Sequence, residues 1–205
     1  SDAMRDTMAL CVSCKGCRRE CPTGVDMARM KIEFLHQYGR RHGRSLRQKL
    51  VAWLPRYAPV AARFAPLLNL RDVVPGLPWL TEKLFGLSRH RTLPKWSAAA
   101  LRAPVPSPGG QAVVLFVDTF SRYYDPENVR AAMEVLRAGG YRVTLAEARD
   151  GGRPLCCGRT FLAVGRVDEA RKEAERSVAA LAPYVSRGIP VIGLEPSCLL
   201  SFRDE

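Results

Sequence analysis

Seven cysteines fall into two groups, and the first carries the clearest chemistry in the chain. Cys11-Val-Ser-Cys14-Lys-Gly-Cys17-Arg-Arg-Glu-Cys21-Pro22 has the spacing C-x2-C-x2-C-x3-C-P, the run that holds a [4Fe–4S] cubane. Two residues between successive thiolates let one tight loop reach three irons of the same cubane. Pro22 turns the chain away and has no N–H to continue a hydrogen-bond ladder into the site. Gly16 lets the backbone approach inorganic sulfide, where amide N–H groups raise the potential. Lys15, Arg18 and Arg19 offset the negative charge of a four-thiolate cluster. Zinc is the other occupant that four cysteines allow, but zinc sites normally draw C-x2-C pairs from separate segments. Cys11, Cys14, Cys17 and Cys21 are therefore the expected iron–sulfur ligands. Where two such runs occur together, the last cysteine of one ligates the other cluster. Only one run is present here, so Cys21 either closes its own cluster or serves one whose run lies outside this sequence.

The second group is Leu155-Cys156-Cys157-Gly158 together with Glu195-Pro-Ser-Cys198. A helix expected from Thr160 onward would set its N-terminus beside Cys156 and Cys157, where thiolates and anionic groups are favoured. Cys198 follows an expected strand and opens another helix. All three thiols should then gather at the carboxyl edge of the sheet, where open α/β sheets bind ligands. Asp118, at the end of the first strand, is expected to face the same pocket, and the three thiols are expected to converge within a few ångströms; a Cys157–Cys198 separation beyond about 15 Å, three strand spacings, would refute this. The alternative is three buried free cysteines acting as small apolar fillers. Glu195 is expected to cap the helix bearing Cys198. His36, His42 and His90 lie in basic, helical or linker sequence and are read as surface groups rather than ligands. No Ser-His-Asp or paired-carboxylate arrangement emerges.

Two kinds of element must position these cysteines. Up to about residue 102, helical periods dominate: Val25 to Tyr38, Leu46 to Leu54, Tyr57 to Leu70 and Trp79 to Phe85. In the first, Met27, Met30, Phe34 and Tyr38 recur at three- and four-residue steps and mark one amphipathic face. Pro55, Pro59, Pro66, Pro75 and Pro78 are expected to start these helices or keep them short. Residues 103–111 form a Pro/Gly linker. Beyond it, Ala112 to Val117 is a continuous apolar run, the mark of a strand buried on both faces. Asp125-Pro126 opens a helix that stops at Gly139-Gly140. Tyr141 to Leu145 is a second strand, Val167 to Val185 a long helix, and Pro190 to Leu194 a third strand. Strand, helix, strand, helix, strand implies a parallel three-layer α/β unit.

The 205 residues suffice for one domain or two small ones, and their net charge of +12 is unevenly placed. Residues 1–110 hold 19 Lys/Arg against 7 Asp/Glu, while residues 111–205 hold 13 of each. A basic first half suits an anionic membrane surface or an acidic partner domain. No helix-turn-helix, zinc-finger or RNP pattern accompanies it, so a nucleic-acid partner is not expected. No run is long and apolar enough for a membrane span. Ser1-Asp2-Ala3 reads as a processing remnant and stands outside the fold reasoning. Without an export signal, the expected location is the cytoplasm, with peripheral contact at the inner membrane as a further expectation, and cysteines there serve metal or redox chemistry more often than disulfides.

Cys156-Cys157-Gly158 with the downstream Glu-Pro-Ser-Cys198 resembles a cysteine-rich CCG module. That module is found in heterodisulfide reductase, in the glycolate oxidase iron–sulfur subunit and in anaerobic glycerol-3-phosphate dehydrogenase. An α-helical ferredoxin segment followed by such a module is similar to the C-terminal half of large FAD-linked oxidases acting on D-2-hydroxy acids. Cys11 to Asp26 and Phe116-Val-Asp-Thr-Phe120 carry that likeness. The resemblance implies an α/β fold class: an all-helical ferredoxin-like segment over 4–102, the linker over 103–111, and a small three-layer CCG module over 112–205, truncated relative to the family. It also implies electron transfer from FAD, held in another part of the parent protein, toward an acceptor such as a quinone or a disulfide. The full module places cysteines where this chain has Asp118 and Ser201. Cys156, Cys157 and Cys198 with Asp118 therefore imply a degenerate second site. The competing function is a structural or docking module, with zinc or unligated cysteines, whose basic helices hold a partner subunit or a membrane surface.

Overall fold

The structure is a computed structural model that describes residues 2–99, 101 and 110–204. Residues 103–109 of the expected linker lie outside the described residues. The described chain is mixed: helices in its first half, then a small three-stranded parallel sheet flanked by helices.

The helical half runs through α1 (Asp2–Ala9), α2 (Gly16–Glu20), α3 (Met27–His42), α4 (Leu46–Ala61), a 3-10 turn (Ala62–Phe64), α5 (Ala65–Leu68), a second 3-10 turn (Asn69–Asp72) and α6 (Leu77–Phe85). Asp2 and Ala3 belong to α1, whose start is tied to α3 because Tyr38 Oη donates to Asp2 Oδ1 at 2.5 Å. Asp26 caps α3, accepting from Arg29 N, and Ser45 with Gln48 forms a reciprocal capping box on α4. The amphipathic face expected along α3 is corrected in one respect. Met30 points to solvent, and the residues α3 buries fully are Ala28 and Gly39.

Pro55 and Pro59 do not end a helix as the sequence suggested, since both lie inside α4. A proline there removes a hydrogen bond and crowds the carbonyl four residues earlier. Two carbonyls next to the disturbed turn find other donors: Tyr57 Oη bonds Leu50 O at 3.1 Å, and Thr160 Oγ1 bonds Ala52 O at 3.1 Å. Burial of Ala52, Leu54, Pro55 and Ala58 offsets the rest.

The second half comprises β1 (Ala112–Phe116), α7 (Thr119–Tyr123), α8 (Pro126–Ala138), β2 (Arg142–Leu145), α9 (Arg159–Leu162), α10 (Val167–Val185), β3 (Val191–Gly193) and α11 (Pro196–Asp204). The sheet order is β2-β1-β3, and both pairings are parallel. The central strand is dry on both faces, with Leu115 at 0% and Phe116 at 1% exposure. Alternate residues of β1 serve opposite cores. Val113 and Leu115 join Val129 and Met133 of α8, while Val114 and Phe116 join Ala180 and Leu181 of α10. The second of these cores contains Cys157 and Cys198.

The two halves pack together. Phe161 of α9, fully buried, meets Ala52 and stands edge-on to Trp53 of α4. Arg44 Nη2 donates to Gly165 O at 2.9 Å, and His36 Nδ1 lies 3.1 Å from the same carbonyl. His36 is thus a half-buried packing residue rather than a surface group, whereas His42 and His90 are exposed. Gly165 is required at this junction. Its φ is +69°, and a Cβ there would lie 2.3 Å from His36 N.

Candidate functional site

Cys11, Cys14, Cys17 and Cys21 occupy the loop from the end of α1, across α2, to the turn before α3. Cys14 is exposed and the other three are half-buried. Among the described residues, two other than glycine have positive φ, Ser13 at 57° and Lys15 at 58°, and both are in this loop. Such conformations cost energy and persist only where surrounding structure holds them. The holding contacts come from α3: Lys31 Nζ donates to Cys11 O at 2.5 Å, and Met27 N donates to Cys17 Sγ at 3.3 Å. Cys21 Sγ is 3.1 Å from Thr23 Oγ1. That hydroxyl, with the backbone N–H groups of Val25, Thr23 and Gly24, lowers the Cys21 thiol to about 7. Four thiols on one segment, with N–H donors aimed at two of them, form a donor set suited in its chemistry to an iron–sulfur cluster. Among the described residues, no group of three or more His, Cys, Asp or Glu side chains is arranged to hold a single metal ion.

The structure brings the second group of thiols together. Cys156, Cys157 and Cys198 are all buried, Cys157 and Cys198 share one apolar core, and Cys157 interacts electrostatically with both other thiols. Contact with Cys157, followed by burial, pushes the Cys156 thiol far up. For Cys157, contact with Cys156 favours the thiolate, but contact with Cys198 and burial outweigh it, and this thiol also rises. Cys156 and Cys157 are therefore neutral thiols. Strands β2 and β3 are not neighbours in the sheet. Both flank β1, and the loops after them meet over its carboxyl end.

Asp118 is buried, but its carboxylate is taken by α7. Oδ1 accepts from Phe120 N at 2.8 Å and Ser121 N at 3.0 Å, and Oδ2 accepts from Ser121 Oγ at 2.6 Å. The neighbouring Thr119 hydroxyl is the group from this strand end that reaches Cys156. Ser201 Oγ donates to Ser197 O at 2.8 Å, and Glu195 caps α11 by accepting from Ser197 N at 3.2 Å. Gly158 explains the glycine after the paired cysteines. Its φ is +85°, and a Cβ would come within 2.6 Å of Ala170 O on α10. Sequence reasoning missed Thr119, and it missed Ser177, whose Oγ donates to Cys156 O at 2.9 Å inside the core. A lone hydroxyl in a helix or after a strand gives no signal of such a contact.

Curated proteins similar to this chain include dehydrogenases and a subunit of one. D-2-hydroxyglutarate dehydrogenase of Pseudomonas putida is 29% identical over 222 residues, matching 100% of this chain and 21% of the relative. The Escherichia coli protein of the same name is 25% identical over 222 residues, with the same shares. The C subunit of anaerobic glycerol-3-phosphate dehydrogenase from Escherichia coli is 30% identical over 168 residues, 78% of this chain and 41% of the relative. The chain thus spans about a fifth of the length of the first two relatives. No family model matches it. No solved structure matches it either.

Proposed function

We propose that this chain is an electron-transfer segment of a larger flavin-linked dehydrogenase whose substrate is a D-2-hydroxy acid. Cys11, Cys14, Cys17 and Cys21 would hold a [4Fe–4S] cluster, which supplies one-electron transfer when bound. The observation that carries this reading is the four-thiol loop itself, with Cys17 receiving the Met27 amide and Cys21 the Thr23 hydroxyl. The similarity to D-2-hydroxyglutarate dehydrogenases over the full chain favours the substrate class. In this reading residues 4–102 are the ferredoxin-like segment and residues 112–205 a CCG module. The chain's own residues hold the loop, exclude water around the second thiol group and keep Cys156 and Cys157 as neutral thiols. FAD would sit elsewhere in the parent protein, and a quinone or a disulfide would accept the electrons.

Docking onto the rest of that protein is part of the same proposal. Val51, Leu54, Phe64, Leu67, Phe85 and Trp96 line an open apolar cleft of about 680 Å³ on the helical half. Exposed Leu10 and Val12 flank Cys11. Apolar surface of this extent marks an interaction site. The parent polypeptide, four-fifths of which lies outside this chain in the relatives, is the occupant that fits. No described helix is long and apolar enough to cross a membrane.

The deciding experiment is iron and sulfide analysis of anaerobically reconstituted protein. Up to four irons with matching sulfide per chain are expected, lost when Cys14 and Cys17 are both changed to serine. Zinc at one per chain without sulfide would transfer the function to the docking reading.

A further inference from the structure

One side chain touches both cysteine groups. Arg159 follows Cys156-Cys157-Gly158 directly and opens α9. Its Nη2 donates to Ser13 O at 3.2 Å, across 146 residues, and its Nη1 reaches Ser197 O at a longer 3.5 Å. Ser13 lies between Cys11 and Cys14, and Ser197 immediately precedes Cys198. A single guanidinium therefore spans from the first thiol loop to the residue beside the third thiol of the second group. Its fork of fixed N–H donors can address two carbonyls at once, which an ammonium does less well.

The base of this side chain does not move freely. Thr160 and Phe161 are buried, Thr160 Oγ1 is bonded to Ala52 O, and Gly158 has no room against α10. The far end is the part that needs holding. Ser13 and Lys15 sit in the left-handed region, which is costly for residues other than glycine. Lys31 holds the Cys11 carbonyl from the α3 side. Arg159 holds the next strained segment from the α/β side.

We propose that Arg159 is a positioning residue that couples the two cysteine sites. It locks the Cys11–Cys17 loop onto the module carrying Cys156, Cys157 and Cys198. It also fixes a permanent positive charge beside the first site, because a guanidinium stays protonated at any working pH. The second role rests on the cluster reading above. A charge-assisted hydrogen bond at the loop backbone favours the more negative, reduced state of a four-thiolate cluster, and so raises its potential.

The test separates the two readings. In cluster-free protein, amide hydrogen exchange is compared between wild type and Arg159→Gln. Exchange over residues 11–17 should accelerate several-fold while α10 stays protected as in wild type. Unchanged exchange over 11–17 would overturn the coupling. If Arg159→Gln loses protection in α10 as well, Arg159→Lys is read instead. The same loop-confined acceleration is expected of it, since an ammonium satisfies the two carbonyls less well. In reconstituted protein the cluster potential should move negative in Arg159→Gln and stay near wild type in Arg159→Lys. An unmoved potential in Arg159→Gln removes the electrostatic role. Failure of the wild type to bind iron sinks the proposed function, and the exchange comparison still decides the coupling.

Discussion

The seven thiols share one side-chain chemistry and sit in opposite electrostatic settings. Cys21 lies at the surface against a hydroxyl and three amides, all of which stabilise a thiolate. Cys156 and Cys157 lie in a dry core against each other, which stabilises the thiol. In cluster-free protein, alkylation of Cys21 should therefore rise steeply as pH passes about 7, because the thiolate is the nucleophile. Thr23→Val removes the largest single cause and should move that midpoint upward, read peptide by peptide in a mass spectrometer. An unmoved midpoint would assign the effect to the turn amides alone. Cys156 and Cys157 should stay unmodified over the same range until the protein unfolds. The spacing of the cysteines was legible in the sequence. Their protonation was not, because it depends on which groups fold against each sulfur.

Among the elements, α4 and α10 are joined by a buried charge. Glu173 of α10 is fully buried and accepts from Arg56 of α4 at 3.1 Å and from Arg153 at 2.5 Å, with Arg176 at 3.4 Å. Arg56 in turn lies 4.4 Å over the Trp53 ring and 5.0 Å over Phe161. Glu173→Ala would leave three arginines facing a cavity without their shared carboxylate. A loss of about 3–5 kcal/mol in urea unfolding is expected, the range for removing one partner of a buried ion pair. A loss below about 1 kcal/mol would mean water reaches the site and screens the arginines. The span of α10 was readable from its period, and it runs from Val167 to Val185 as expected. Nothing in the sequence sets Glu173 apart from the other charged residues of that helix. Only its register against α4 put it in the core. The continuity of α4 through Pro55 and Pro59 was hidden for a related reason. Local rules end a helix at proline, whereas burial of Ala52, Leu54, Pro55 and Ala58 carries this one through.

At the scale of the molecule, the basic helical half also supplies most of the apolar cleft, with Phe120 and Tyr124 completing it. Residues 1–110 carry the entire net charge of +12, and the cleft is lined by residues between Leu50 and Tyr124. Docking of the separately produced flavin part of a parent protein should therefore combine the two forces. Raising salt from low to physiological levels should slow association, because steering is screened beyond about 8–10 Å. Phe85→Asp, at the cleft, should speed dissociation. Association that is indifferent to salt would remove the electrostatic part of this picture. A Phe85→Asp variant that dissociates like wild type would remove the cleft.

By itself the sequence determined the four-thiol run, the change from helical to strand–helix grammar, the buried central strand, and the capping by Glu195. These are local properties, set by residue type and spacing over a dozen positions or fewer. Tertiary structure decided which distant groups meet. It placed Thr119 rather than the Asp118 carboxylate at Cys156. It made His36 a packing residue on Gly165, and it laid Arg159 across both cysteine groups. The physical reason is common to all three. Each contact links segments separated by between 37 and 146 residues, and no local pattern encodes the packing that closes such distances.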